Sequence, residues 1–386
     1  MRLVAATLYA LDIPFVESFK HSTKERSASD SVVVQVRDEA GSEGFGEGCP
    51  RPYVTGETVE GVLQHIAEDL WPAIAERELP PLAEGAFLSL VDELIPRREI
   101  PGVLSDNASR AALELAIVDC VLRREGVSLR RLLPALRSRV AYSGVITAGS
   151  PEKAAQQARQ MKVVGLTQVK VKVGLDDDVA RVAAVRQALG PDVSIRVDAN
   201  GAWTRPQAVA ALAALAPFGI SAAEQPLARG PVSELRALRQ ESPVPLMADE
   251  SLVTLEDAEE LISAQAVDYF NIRLSKCGGL HRCRQLAARA AEAGVRIQIG
   301  SQVGETAILS AAGRHLTASL PEVDFVEGSY GTLLLAEDVS SDAVRFGHRG
   351  EAAVLTGPGL GVRVLAERLR KYARRTVELP LGGAPL

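Results

Sequence analysis

Five charged residues recur at nearly constant spacing in the middle of the chain. Lys172, Asp198, Glu224, Asp249 and Lys276 are separated by 26, 26, 25 and 27 residues. An interval of this size accommodates one strand, one helix and their connections, so each residue is predicted to mark the end of a successive strand. Because the carboxyl ends of parallel strands meet at one rim of a barrel, we expect the five side chains to converge there.

The three central residues of this series are carboxylates, in the segments VDAN, AEQP and ADES. Like charges held close together repel each other in a low dielectric, and a divalent cation removes that conflict. An all-oxygen set without His or Cys favours a hard metal, so Asp198, Glu224 and Asp249 predict a Mg²⁺ site, with Mn²⁺ as the alternative. Any one of them alone could instead cap a helix. The neighbouring Asn200 and Gln225 could support the ligands, contact substrate or simply form turns.

Lysines flank the carboxylates on both sides. In QVKVKV, Lys170 and Lys172 point to one face of a strand and the valines to the other, so in a barrel the lysines would project inward. An edge strand with a solvated face is the alternative for this pattern. Lys276, at the end of the sixth predicted strand, approaches from the opposite side. Binding of a substrate carboxylate to the metal would stabilise the enediolate that forms when the proton on the neighbouring carbon leaves. One lysine would take this proton, and the other would return a proton or stabilise the intermediate.

The elements that must position these residues follow from the hydrophobic pattern. Strands are predicted at 140–146, 168–173, 193–198, 220–224, 244–249, 268–274, 295–299 and 322–327. Helices are predicted at 151–164, 176–190, 205–216, 231–240, 254–265, 279–293 and 304–319. Eight strands alternating with helices predict a TIM-type barrel.

The chain before about residue 135 has a different, α+β pattern. Strands are predicted at 1–12 and 31–38, a turn-rich connection at 41–48, and helices at 57–79 and 106–124. After residue 335, a charged, helix-like stretch is expected to complete the barrel and return to the first part. The predicted organisation is an N-terminal α+β capping domain (1–135), a barrel (136–335) and a C-terminal segment (336–386).

Composition excludes several other classes of protein. The 386 residues are 47% hydrophobic and 24% charged, which is ample for a sizeable core. With 43 Lys+Arg against 49 Asp+Glu, the net charge is −6, so no nucleic-acid partner is expected. No apolar stretch is long enough to span a membrane and the N-terminus does not resemble a signal peptide, so we expect a cytoplasmic protein with no membrane partner. The four scattered cysteines predict neither a zinc knuckle nor a disulfide framework.

The segments KVK, VDAN, AEQP, ADES and KCGG, in this order and spacing, resemble the enolase superfamily and, within it, the mandelate racemase/muconate lactonizing enzyme subgroup. The resemblance covers nearly the whole chain and implies an α/β fold, a modified TIM (β/α)7–8 barrel with an N-terminal α+β capping domain. It implies the Mg²⁺ ligands Asp198, Glu224 and Asp249, the acid/base lysines Lys172 and Lys276, and the supporting lysine Lys170. It also implies a small carboxylate substrate and a homo-oligomer.

Substrate identity depends on the segments around the barrel mouth. In this family the cap supplies two loops, here 15–25 and 49–56, and the ends of the last two strands complete the pocket. The candidate substrate contacts are Phe19, His21, Tyr53, Asn200, Asp324 and Glu327. Relatives that epimerise dipeptides carry a DxD pair after the eighth strand, whereas Asp324 and Glu327 are three residues apart. Muconate cycloisomerases carry a glutamate near the same place, which Glu327 could match.

The predicted function is a Mg²⁺-dependent isomerase that removes the proton next to a carboxylate to form an enediolate. Racemisation or epimerisation of an amino-acid derivative or related acid by two lysines is the leading hypothesis. The alternatives are a muconate-type cycloisomerase and a syn-dehydratase of the o-succinylbenzoate synthase type, which use the same residues. A non-catalytic barrel that only binds metal and acid predicts missing acid/base residues, and none is missing.

Overall fold

The structure, a computed structural model, describes residues 1–20, 25–75, 77–82, 86–147, 149–342 and 344–380. Its strands are β1 (Leu3–Leu11), β2 (Pro14–Lys20), β3 (Glu25–Ala28), β4 (Val32–Asp38), β5 (Glu43–Gly48), β6 (Arg139–Ala141), β7 (Gly144–Ile146), β8 (Gln168–Lys172), β9 (Ser194–Asp198), β10 (Ile220–Glu224), β11 (Leu246–Ala248), β12 (Tyr269–Ile272), β13 (Arg296–Ile299), β14 (Phe325–Val326), β15 (Glu351–Ala353) and β16 (Ala373–Pro380). Its α-helices are α1 (Val59–His65), α2 (Trp71–Ile74), α3 (Phe87–Leu94), α4 (Asn107–Arg124), α5 (Pro151–Val164), α6 (Asp178–Leu189), α7 (Arg205–Leu215), α8 (Val232–Glu241), α9 (Leu255–Ser263), α10 (Leu274–Cys277), α11 (Leu280–Glu292), α12 (Ala307–Ser319) and α13 (Ala366–Tyr372). A π-helical segment, Ile66–Leu70, joins α1 to α2, and short 3₁₀ turns lie at Leu129–Arg131, Ala216–Phe218, Gly331–Leu333 and His348–Gly350. Among the described helices, none is long and apolar enough to cross a membrane.

Eight strands form one curved parallel sheet in the order β7 to β14. Its two edge strands meet where the Ser143 amide donates a hydrogen bond to the Val326 carbonyl at 2.8 Å. At least one helix lies between each pair of consecutive strands, from α5 after β7 to α12 after β13. On β8, Val169 and Val171 are fully buried in the core on one face, while the lysines occupy the other. The predicted TIM-type barrel is thereby confirmed.

A second sheet of four antiparallel strands, in the order β16, β1, β4 and β5, carries helix α4 on one face. This sheet and its helices form a cap on the barrel. Strand β16 is the last described element, so the end of the chain pairs with its beginning. The cap touches the barrel rim at the carboxyl ends of the strands through α4, which packs against the short helix α10.

Residues 43–48 form a strand rather than the predicted turn-rich connection. The alternating glycines of EGFGEG lie under α4, and they are needed because the helix backbone rests directly on the strand. A Cβ atom on Gly46 would lie 1.9 Å from the carbonyl oxygen of Ala112, and Gly44 and Gly48 are as tightly covered. The glycines therefore mark a helix contact, although in sequence they resemble turn residues.

Several other element predictions were wrong in their limits. The predicted loop 15–25 contains most of β2, which pairs antiparallel with β3. The predicted strand 140–146 is two strands, because the Tyr142 amide bonds to Gly350 and the Ser143 amide to Val326, in two different directions. The helix predicted at 57–79 ends at Ile74, and α3 was not predicted.

Candidate active site

Three buried carboxylates lie at the ends of neighbouring barrel strands. Asp198 and Glu224 are the last residues of β9 and β10, and Asp249 directly follows β11. Each is at most 1% exposed. The spacing in the sequence therefore does bring them to one rim.

The two lysines of β8 project into the barrel, as predicted. The Lys170 Nζ lies 2.8 Å from Glu327, 3.2 Å from Asp198 and 3.3 Å from Glu224. The Lys172 Nζ donates to Asp198 Oδ2 at 2.6 Å and to Asn200 Oδ1 at 2.7 Å. The edge-strand alternative is therefore excluded, and both ammonium groups are compensated by carboxylates.

Lys276 reaches the rim from the other side, but not from a strand end as predicted. Strand β12 ends at Ile272, and Lys276 lies on the one-turn helix α10 that follows. Its Nζ donates to the Asp249 carbonyl at 2.6 Å, to Asp249 Oδ1 at 2.9 Å and to the Asn271 carbonyl at 2.7 Å. Lys172 and Lys276 thus flank the three carboxylates, each bonded to one of the outer aspartates.

An arginine that the sequence analysis missed links the carboxylates. Arg273 donates to Glu224 Oε1 at 3.0 Å and also bonds to Asp249. Asn271 and Gln298 donate to the two oxygens of Glu224 at 2.9 and 3.2 Å. Because side chains alternate along a strand, inward-facing polar residues two positions apart were the signal that could have identified Asn271 and Arg273.

A second missed arginine fixes Glu327. Arg196 is completely buried, two residues before Asp198 on the same strand face, and donates to Glu327 Oε1 at 3.0 Å. Its guanidinium also lies over the ring of Phe325, 4.2 Å from the ring centroid. Glu327 is therefore held between Arg196 and Lys170 at the barrel rim.

The charges of the site shift the acidities of its carboxyl groups in opposite directions. Burial, reinforced by Asp198, raises the pKa of Glu224 to about 7. Burial also acts to raise the pKa of Asp198, but Lys172 and Lys170 outweigh it and the pKa is lowered. For Asp249, Arg273 and Lys276 outweigh burial in the same way and lower the pKa. The negative charge of Glu224, the central carboxylate, is thus the least well compensated of the three.

A cavity of about 180 Å³ opens beside this cluster. It is lined by Lys170, Lys172, Arg273 and Glu327 and by residues of the two loops that follow β13 and β14. Lys276 does not line it. The cavity gives a small ligand access to the β8 lysines.

The donor chemistry of the trio suits a hard divalent cation, since all three side chains offer carboxylate oxygens. Buried polar atoms around them, Asn271 Oδ1, Gln298 Oε1 and Glu250 Oε2, have no hydrogen-bond partner among the residues that the structure describes. Within the described parts of the chain, however, no three His, Cys, Asp or Glu side chains are gathered into a ready metal cage. Lys170 and Arg273 link the carboxylates instead.

The predicted substrate contacts have different outcomes. Asn200 bonds to Lys172 and, at 3.2 Å, to Glu250, so it supports the lysine. Asp324 precedes β14 and pairs with Arg296 at the far end of the barrel strands, which contradicts a substrate contact. Tyr53 is exposed and is not among the cavity-lining residues. The Phe19 backbone belongs to β2, and His21 lies outside the described residues.

Comparison with known proteins decides the family. Residues 153–368, more than half of the chain, match the family described as Enolase C-terminal domain-like. The chain belongs to the enolase superfamily. The superfamily predicted from the motifs is thus confirmed, as is its barrel-and-cap architecture.

Relatives of this enolase-superfamily chain include epimerases, racemases and cycloisomerases. The hydrophobic dipeptide epimerase of Enterococcus faecalis is 32% identical over 94% of this chain and 99% of its own length. Muconate cycloisomerase 1 of Rhodococcus opacus is 30% identical, over 97% of this chain and 99% of its own length. The prediction of an isomerase-type enzyme is therefore confirmed at the level of the family.

Solved structures agree with this assignment. N-succinyl Arg/Lys racemase from Bacillus cereus superposes with a TM-score of 0.89 at 27% identity, covering 98% of this chain and all of that one. A dipeptide epimerase from Enterococcus faecalis, complexed with Mg and the dipeptide L-Leu-L-Tyr, superposes with a TM-score of 0.82 at 29% identity, covering 94% of this chain and all of that one.

Proposed function

We propose that this chain is a Mg²⁺-dependent isomerase that moves the proton on the carbon next to a substrate carboxylate. The net reaction is racemisation or epimerisation of an amino-acid derivative or related small acid. The observation that carries this proposal is the pair Lys172 and Lys276 on either side of the three carboxylates. Inversion at a carbon requires a group on each face, since one removes a proton and the other delivers one to the opposite face.

Asp198, Glu224 and Asp249 would hold the metal. Their all-oxygen donor set and the Mg in the dipeptide epimerase structure support this choice of ion. When bound, the metal supplies positive charge against the negative charge that develops on the substrate carboxylate. Lys170, fixed between Glu224 and Glu327, adds a stationary positive charge at the same place.

The two acid/base lysines are held differently. Lys172 lines the cavity and bonds to two oxygens, Asp198 Oδ2 and Asn200 Oδ1, so a ligand in the cavity would lie beside this lysine. Lys276 gives its hydrogen bonds to three oxygens of the protein, the Asp249 carbonyl, Asp249 Oδ1 and the Asn271 carbonyl. In each direction one lysine, as the neutral amine, accepts the proton and the other, as the ammonium, delivers one, and the reverse reaction exchanges their roles.

The test is α-deuterium exchange. The protein is incubated with Mg²⁺ in D₂O with N-acyl amino acids, dipeptides and proline-type acids, and the α-proton signal is followed by NMR. We expect loss of this signal for at least one class of acid, with both configurations appearing in the product. A broad panel without any exchange would refute the proposal.

Cycloisomerisation of a muconate-like diacid is the second candidate. It is favoured by Glu327 at the rim and by the 30% identity to muconate cycloisomerase 1. In that reaction one lysine transfers the proton and the other is a bystander. Loss of the ultraviolet absorbance of cis,cis-muconate on addition of the protein would identify it.

A homo-oligomer and a cytoplasmic location stay predictions from the sequence.

A further inference from the structure

Two free cysteines lie next to Lys276 and close to each other. Cys277 is the last residue of α10, and Cys283 lies on α11. The chain turns between them at Gly278 and Gly279, whose φ angles of +87° and +105° favour glycine. After this turn α11 packs against α10, and the Cys283 thiol interacts with the Cys277 thiol.

A cavity outside the active site leads to this pair of thiols. It has a volume of about 640 Å³ and is lined by the cap segment 97–106 and by residues of α9, α10 and α11. Its lining residues all differ from those of the cavity beside the carboxylates. Cys277 is one of them, whereas Cys283 is completely buried. Because Cys277 is itself only 1% exposed, the cavity gives access to this thiol for small molecules alone.

The surroundings of Cys277 favour its thiolate form. Burial acts to raise the pKa of this thiol, but the Cys283 thiol and the positive charge of Lys276 outweigh burial and lower the pKa. Burial raises the pKa of the other three cysteines, Cys49, Cys120 and Cys283. Because the thiolate is the nucleophilic form of cysteine, an oxidant should react with Cys277 first.

We propose that Cys277 and Cys283 form an oxidant-sensitive pair, which hydrogen peroxide converts into a disulfide beside Lys276. The Cys277 thiolate attacks one oxygen of the peroxide, so that an S–O bond forms, the O–O bond breaks and hydroxide leaves. The Cys283 sulfur then loses its proton and attacks the Cys277 sulfur, so that the S–S bond forms, the S–O bond breaks and a second hydroxide leaves. The two hydroxides take up the two thiol protons. The two thiols are thereby oxidised, and one peroxide is reduced to two waters.

This disulfide would displace Lys276. A disulfide brings its two sulfur atoms closer together than the contact between two thiols allows, so the end of α10 must move toward α11. Lys276 directly precedes Cys277 on this one-turn helix, and its Nζ is positioned by hydrogen bonds to Asp249 and Asn271. Oxidation should therefore slow proton transfer by Lys276. This consequence rests on the proposed function, whereas the disulfide itself does not.

The disulfide is tested by peptide mapping of the wild-type protein. The reduced protein is treated with one equivalent of hydrogen peroxide, its remaining thiols are blocked with iodoacetamide in denaturant, and it is digested with trypsin. Trypsin cleaves after Lys276, Arg282 and Arg284, so the two cysteines fall on separate peptides, 277–282 and 283–284. We expect mass spectrometry to find these peptides joined, and separate again after dithiothreitol, with oxidation at least about tenfold greater than at the other two cysteines. Unjoined peptides, or equal oxidation of all four cysteines, overturn the proposal.

Two variants identify the order of the reaction. In Cys283→Ser the second thiol is missing, so Cys277 should accumulate as a sulfenic acid that dimedone captures. The matched control Cys120→Ser, which changes another buried cysteine, should give the wild-type yield of joined peptide. Joined peptide in the control but no dimedone adduct at Cys277 overturns the assignment of Cys277 as the thiol attacked first. If Cys283→Ser does not fold, dimedone added to the wild type together with the peroxide captures the same species.

The effect on Lys276 is measured by α-deuterium exchange, with an acid on which the reduced protein acts. Formation of the disulfide should slow exchange about tenfold or more, because small misplacements of a reacting group are costly, and dithiothreitol should restore the rate. Exchange in Cys277→Ser should not respond to peroxide. Unchanged exchange in the disulfide form would show that the disulfide leaves Lys276 in place. Absence of exchange by the reduced protein with every acid refutes the proposed function, and the peptide map alone then decides whether the thiol pair forms a disulfide.

Discussion

Replacing Glu114 by glutamine tests how the cap is joined to the barrel. Glu114 lies on the cap helix α4 and is 1% exposed. Its carboxylate crosses to the barrel and accepts hydrogen bonds from the Leu280 amide at 2.5 Å and the His281 amide at 3.0 Å, which open helix α11. Two effects oppose each other here, since the helix N-terminus favours a negative charge and burial disfavours it.

Burial is the larger effect, and it raises the pKa of Glu114 from 4.5 to about 7, against the two amides that lower it. The folded chain therefore holds this proton more tightly than the unfolded chain. The resulting stabilisation is full below about pH 4.5 and is lost as the pH rises through about 7. A shift of this size corresponds to about 3 kcal/mol in the free energy of unfolding.

Glutamine cannot ionise, so in Glu114→Gln the side chain at position 114 is neutral at every pH. Near pH 5 the variant and the wild type should have free energies of unfolding within about 1 kcal/mol, and by pH 8 the variant should be about 3 kcal/mol more stable. Urea unfolding at pH 5, 6, 7 and 8 measures this difference. The control Glu125→Gln removes an exposed carboxylate at the end of α4. Its free energy of unfolding should stay close to the wild-type value at all four pH values. A Glu114→Gln variant less stable than the wild type at pH 8 would show that the amide bonds outweigh burial.

Three further predictions concern the site and the cap. Lys172→Ala and Lys276→Ala should each slow deuterium exchange about 10²- to 10⁴-fold, and unchanged turnover in both would contradict their roles. A chelator should lower the melting temperature of the wild type, by an amount equivalent to about 2.7 kcal/mol if Mg²⁺ is at a hundred times its Kd, and Asp249→Asn should abolish this shift. Gly46→Ala should lower the free energy of unfolding by about 3 kcal/mol in urea titrations, because its Cβ would lie 1.9 Å from the Ala112 carbonyl oxygen; wild-type stability would contradict that contact.

The part of the site that could be predicted from the sequence is the part encoded by regular spacing. Lys172, Asp198, Glu224 and Asp249 follow one another at one strand–helix interval, and a parallel barrel turns that interval into proximity at one rim. The residue types then define the chemistry. No knowledge of side-chain packing was required for either step.

The remaining residues of the site could not be predicted, because they depend on contacts that the spacing in the sequence does not encode. Lys170 and Glu327 are 157 residues apart and meet only because the barrel closes between β7 and β14. Arg273 lies only three residues from Lys276, yet its role depends on its reach across to Glu224 and Asp249. In the same way, the glycines of β5 can be explained only when it is known that helix α4 packs directly on this strand.

The cap also contacts the segment of one of the two proposed acid/base lysines, Lys276, and not that of Lys172. Asn107 of α4 donates to the carbonyl of Lys276 at 2.6 Å, and a Cβ atom on Gly278 would lie 2.7 Å from Asn107 Oδ1. A Cβ atom on Gly279 would lie 2.0 Å from Glu114 Oε2, so both glycines of KCGG are needed for the approach of this one cap helix. Within the described part of the chain, the Lys172 Nζ in contrast donates its hydrogen bonds to Asp198 and Asn200 of the barrel.

This asymmetry has a consequence for a two-lysine mechanism. Asn107→Ala removes the bond that fixes the Lys276 backbone, so proton transfer at the face served by Lys276 should slow while Lys172 keeps its contacts. In D₂O the exchange rates of the two substrate configurations should then diverge, with their ratio changing about tenfold to a hundredfold, since small misplacements of a reacting group are costly. A general loss of stability would lower both rates together. Equal slowing of both configurations would therefore show that the cap only stabilises the fold, and a changed ratio would show that it positions one of the two proton-transfer groups.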